Sequence, residues 1–103
     1  MRYETGRRSH ASSRRHHQGQ AGSEAEFEAV AKELAAQVNA KEPGCRLYIL
    51  TRSASPQTYV FLERYDDQAA SDAHVASEHF RELGRKMGAF LDGRPDIQRL
   101  TEV

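Results

Sequence analysis

The residues best suited to chemistry in this chain lie between positions 63 and 80. Glu63-Arg64-Tyr65-Asp66-Asp67 closes one regular segment, His74 follows, and Ser77-Glu78-His79-Phe80 ends the stretch. A carboxylate, two imidazoles and aromatic rings at this spacing suit proton transfer in an aromatic-walled pocket, because histidine titrates near neutrality. Each residue also has a plainer reading. Glu63 is either a pocket acid or the partner of an arginine such as Arg46, and His74 and His79 are either bases or helix-surface and capping residues. Tyr48, Tyr65 and Phe80 are core or pocket wall. Two histidines and a distant Glu63 do not make the three- or four-ligand pattern of a zinc site, so no metal is expected. Cys45, which opens a strand after a turn, reads as buried and inert.

Other chemistries lack their signatures. No serine sits in a G-x-S-x-G setting. Gly84, Gly88 and Gly93 are too scattered to cradle a phosphate. The arginines and histidines before residue 22 have no interleaved aromatics, so no nucleic-acid partner is expected.

The elements that must position these residues are legible from periodicity. Ser23 and Glu26 form a capping-box pattern ahead of Phe27, Val30, Leu34 and Val38, which recur at helical spacing. That helix should end near Ala40, before Glu42-Pro43-Gly44. Cys45–Thr51 and Thr58–Tyr65 read as strands of a hairpin turning through 53–57, the second dense in β-branched and aromatic residues. Alternation puts Tyr59, Phe61, Glu63 and Tyr65 on one face of that strand and Val60, Leu62 and Arg64 on the other. Asp66 or Asp67 caps a short helix reaching His74. Ser77 heads a second amphipathic segment through Phe80, Leu83, Met87, Phe90 and Leu91. Gly93-Arg94-Pro95 breaks it, and residues 97–103 form a last short strand. Helix, hairpin, more helix and a closing strand make an α+β layer on an antiparallel sheet.

With 103 residues the chain is one domain, and its single cysteine suits a reducing compartment. Charge is balanced, 15 basic against 15 acidic, but unevenly spread: residues 1–22 hold five arginines and one glutamate, so they carry +4 and the remainder −4. No run approaches the ~18–20 apolar residues of a membrane span, and no apolar segment follows the basic start as in a secretory signal. A cytoplasmic location and no membrane partner are the expectations. Residues 1–22 are so poor in apolar side chains that they read as a polar, basic, disordered tail, leaving 23–103 as the folded unit.

Taken together, Lys41-Glu42-Pro43-Gly44-Cys45, the strand end Glu63-Arg64-Tyr65, and Asp67, His74, Ser77, His79 and Phe80 resemble the antibiotic-biosynthesis monooxygenase-like family. The likeness spans about residues 22–103, including Arg94-Pro95 and Arg99-Leu100-Thr101. It implies a ferredoxin-like subunit with helices on one sheet face, joined to a second copy in a dimeric α+β barrel, with the pocket between sheet and helices. It also implies cofactor-independent oxidation of a small quinol or polyphenol by O₂, with the substrate as its own reductant. His74, His79 and Glu63 would then be catalytic, and Tyr48, Phe61, Tyr65 and Phe80 would bind the aromatic substrate. The alternatives are a non-catalytic ligand-binding or dimerisation module, and an isomerase of a small phosphorylated dicarbonyl compound. Haem degradation is disfavoured, since the chain has no tryptophan and its one asparagine, Asn39, lies at a helix end. A homodimer also follows from the hairpin, which is apolar on both faces although helices can cover only one. The family has an apolar central strand just before Gly22-Ser23. Here Ser12 to Ala21 stands in its place, so the first strand is expected to be degenerate or missing, its native beginning lost or the sheet completed otherwise.

Overall fold

The computed structural model describes residues 10–103. The elements are β1 (Ala11–Gln18), α1 (Glu24–Lys41), β2 (Cys45–Arg52), β3 (Thr58–Tyr65), α2 (Gln68–Ala76), α3 (Glu78–Gly88) and β4 (Asp96–Thr101). The four strands form one antiparallel sheet in the order β2-β3-β1-β4. This is the ferredoxin-like α+β arrangement the sequence led us to expect.

The disordered-tail expectation for residues 1–22 is wrong over its described second half. Residues 1–9 lie outside the described residues, but Ala11–Gln18 is a central strand, paired along its whole length with β3 and over six residues with β4. Its sequence ASSRRHHQ has no apolar alternation, yet its burial does alternate: Ser13, Arg15 and His17 face inward. Two ladders satisfy its backbone, and the inward side chains are accommodated one by one, as described below. The first strand is therefore degenerate in composition and present in the fold.

Smaller corrections concern helix ends. Ser23 occupies the N-cap of α1, but its hydroxyl makes no capping bond. The Glu24 carboxylate instead accepts from the Gly22 amide at 3.1 Å, so the capping box does not form. The two later caps do form: Asp67 accepts from the Ala70 amide and Ser77 from the Phe80 amide.

The core lies between the sheet and the helices. Phe27, Ala31, Leu34 and Val38 of α1 pack against Tyr48, Tyr59 and Phe61 of the sheet and Leu83 and Met87 of α3. So the face of β3 bearing Tyr59, Phe61, Glu63 and Tyr65 is the one that meets the helices. On the opposite face Leu47, Ile49 and Leu100 are each 37–45% exposed. At Gly44 the turn after α1 runs so close to α2 that an added Cβ would stand 2.9 Å from the Ala70 Cβ. That approach brings Glu42 against α2 and α3.

Candidate functional site

Three groups of side chains converge between the sheet and the last two helices. The first is a buried polar knot. Glu63 accepts hydrogen bonds from Tyr65 Oη (2.7 Å), Ser13 Oγ (3.1 Å) and Arg15 Nε (3.2 Å). Its partner is therefore Arg15, across the β1–β3 ladder, and not Arg46, which pairs with Asp66 at the surface. Arg15 also lies over the Phe80 ring, 5.2 Å from its centroid, and among the described residues its two terminal guanidinium nitrogens make no hydrogen bond. Burial, followed by the Glu63 charge, pushes the Tyr65 hydroxyl far above the ordinary tyrosine range, so it stays a donor.

The second group is a carboxylate shared by two histidines. His74 Nδ1 lies 3.0 and 3.1 Å from the Glu42 oxygens, and His79 Nε2 approaches the same carboxylate from outside. A carboxylate accepts, so His74 Nδ1 carries the hydrogen and Nε2 is left as the basic nitrogen. That Nε2 is buried without a partner. The His74 ring is enclosed by Tyr48, Tyr65 and Phe80, with centroids 5.0, 5.5 and 4.6 Å away. Desolvation lowers its pKa, against the opposing pull of Glu42, and keeps the imidazole neutral at pH 7.

The third group surrounds a cavity of about 370 Å³. Arg15, His17 and Tyr48 form its floor on the sheet. Phe80, Gly84 and Met87 of α3 form one wall, and Leu91 and Pro95 a second. Arg81 and Arg94 stand at the rim. His17 is packed against the rings of Phe27 and Phe61, and neither of its nitrogens has a partner among the described residues. Burial, with the charges of Arg15 and His16, brings its pKa from the ordinary 6.5 to about 4. The Tyr48 hydroxyl is likewise buried and unpartnered, and desolvation raises its pKa strongly.

The residues singled out from sequence are thus distributed over four places. Tyr48 and Phe80 line the cavity. Glu63, Tyr65 and His74 lie directly behind that wall. Phe61 belongs to the hydrophobic core. His79 is on the outer side of Glu42, in a surface groove with Glu78 and Lys86. Sequence reasoning missed Ser13, Arg15 and His17, whose spacing of two was a strand signal carried by polar residues. It also missed the role of Glu42, which it placed in a turn and in a family-like segment but assigned no partner. Cys45 is half-buried, its thiol pushed up to about 12 by burial, in keeping with an inert side chain. Among the described residues, no three His, Cys, Asp or Glu side chains are grouped as a metal site requires, and no helix is long and apolar enough to cross a membrane.

Comparison with known proteins bears on this geometry. Residues 14–86 match the family model for antibiotic biosynthesis monooxygenase. A Caulobacter crescentus protein, named as a candidate antibiotic biosynthesis monooxygenase, is 36% identical; the match covers 94% of this chain and 92% of that one, with a TM-score of 0.90. A conserved Methanosarcina mazei protein is 25% identical over 89% of this chain and 91% of its own, TM-score 0.83. Rv0793 of Mycobacterium tuberculosis shares the fold at 23% identity, over 92% of this chain and 96% of its own, TM-score 0.85. Among curated proteins none matches significantly. With the family model covering most of its length and beginning inside β1, this chain belongs to the antibiotic biosynthesis monooxygenase family.

Proposed function

We propose that the protein oxidises a small hydroxyaromatic, quinol-type substrate with O₂, using no bound cofactor and taking the electrons from the substrate itself. The observation that carries this reading is an apolar cavity whose floor presents unpartnered polar atoms on His17 and Tyr48, beside a neutral histidine held by Glu42. The substrate ring fits between Tyr48, Phe80 and Met87, with its hydroxyl toward the floor. A phenol is mostly neutral at pH 7, so it must lose its proton before it can give up an electron. The Arg15 guanidinium, which lines the cavity, stabilises the phenolate as it forms. The proton is assigned to His74, which packs behind the wall residues Tyr48 and Phe80 and so receives it by relay from the floor; Glu42 would stabilise its imidazolium, while His79 holds Glu42 in place from outside. One electron then passes to O₂, the aryloxyl radical and superoxide combine at a ring carbon, and loss of water leaves a quinone carbonyl.

Oxygen uptake over a panel of hydroquinones tests this directly. His74→Ala is expected to reduce turnover about 10²–10⁴-fold, the usual general-base contribution, with an unchanged circular dichroism spectrum; His79→Ala should cost less. Undiminished activity in the double variant would remove both histidines from the chemistry, and no uptake with any hydroquinone would end the oxygenase reading. One observation favours a second reading, an isomerase of a phosphorylated dicarbonyl compound: three arginines, Arg15, Arg81 and Arg94, line the cavity.

The proposed working form is a two-fold homodimer. It is supported by the uncovered face of Leu47, Ile49 and Leu100, which a self-complementary contact would bury. Sedimentation at micromolar protein is expected to show twice the 11.6 kDa chain mass, and a monomer alone would refute it.

A further inference from the structure

The cavity is different at its two ends. Its floor holds buried polar atoms with nothing to bond: both nitrogens of His17 and the hydroxyl of Tyr48. Buried groups of this kind normally have partners, and leaving them without one is costly, so this end is built for a ligand that supplies them. The middle is apolar, between Phe80, Met87 and Leu91. The rim carries Arg81 and Arg94, both exposed and neither in an ion pair among the described residues. Among the described residues no acidic side chain lines the cavity. Behind the floor, Glu63 offsets Arg15.

Exposed arginines are ordinary by themselves. What sets this pair apart is its place, on two different elements and across an apolar span from a polar floor that lacks partners. We propose that the substrate is a hydroxyaromatic acid: a ring whose reacting hydroxyl meets His17 and Tyr48, and whose carboxylate, on the opposite side, is held at the rim by Arg81 and Arg94. Guanidinium groups suit a planar carboxylate, and a partly desolvated rim strengthens the attraction. This deepens the proposed function and rests on its placing of the substrate in this cavity.

The probe pair is 3,4-dihydroxybenzoate, whose 4-hydroxyl stands opposite its carboxylate, and its methyl ester; the two share a ring and its hydroxyls and differ in charge. Binding is measured anaerobically by calorimetry on the full chain, and oxygen uptake is measured separately. The acid is expected to bind at least about tenfold more tightly than the ester at low salt, an advantage that shrinks at high salt. Arg81→Gln with Arg94→Gln should bring the acid down to the ester's affinity, while the ester itself changes far less. Both positions are exposed, so the double variant should melt as the parent does. Equal binding of acid and ester, a preference that survives the double variant, or no binding of either would overturn the proposal. The two inferences separate cleanly: tighter binding of the acid without oxygen uptake refutes the oxygenase and keeps the acid site. Equal turnover of acid and ester does the reverse.

Discussion

β1 and β3 lie side by side in the centre of one sheet and reach that place by opposite means. β3 is TYVFLERY, with Tyr59, Phe61 and Tyr65 buried, and hydrophobic burial justifies its position despite the one inward carboxylate, Glu63. β1 is ASSRRHHQ, and the side chains it turns inward are a serine, an arginine and a histidine. β3 thus supplies much of the apolar burial of the sheet, and β1 supplies Arg15 and His17 to the cavity floor, which Tyr48 of β2 completes. A strand that places a cation and an unpartnered imidazole in a core is a poor choice for stability alone, and a reasonable one where a ligand must be met.

The largest test of this contrast is to treat β1 as if it were β3. If Arg15 were a dispensable tail residue, Arg15→Ala would change stability by no more than ~0.5 kcal/mol, as surface substitutions do. Because it is buried against Glu63, we expect a loss of about 3–5 kcal/mol in urea unfolding, comparable with Phe61→Ala in β3. Glu63→Ala should cost as much. The two together should cost less than their sum, since neither then leaves a stranded charge.

A smaller effect distinguishes the strands by pH. His17 has a folded-state pKa of about 4 against 6.5, so the unfolded chain binds the extra proton first. The stability this represents is fully present above pH 6.5 and is lost as pH falls toward 4, by on the order of 3 kcal/mol. His74, shifted the same way, adds to the trend. Unfolding free energies measured between pH 7 and 4 should fall accordingly in the parent and more shallowly in His17→Leu. An equal slope in both would show that His17 is not the neutral, enclosed group described here.

The helices and the hairpin were legible in the sequence because their burial follows their hydrophobicity: β3 runs over the expected 58–65, and the Asp67 and Ser77 caps form. β1 was not legible because its period of two is written in Ser13, Arg15 and His17, and a search for alternating apolar residues passes over it. The same substitution concealed the partner of Glu63. Tyr48 and Phe80 line the cavity, whereas their residue types alone left core and pocket wall equally open. Glu42 was hidden for a different reason. Its role depends on how closely the Gly44 turn approaches Ala70, a distance that no local pattern encodes.

The pairing of β1 has a consequence for how the chain assembles. Neither of its neighbours is close in sequence: Arg15 lies opposite Phe61 on one side and Ile97 on the other, and Ala11 meets Thr101. Chain closure over such separations is slow, whereas α1 and the β2–β3 hairpin need only local contacts. During synthesis β1 therefore leaves the ribosome before the other described strands and gains its second neighbour only when residues 96–101 have emerged. Through that interval its strongly polar composition keeps an unpaired strand in water, where an apolar strand in the same place would have sought other partners.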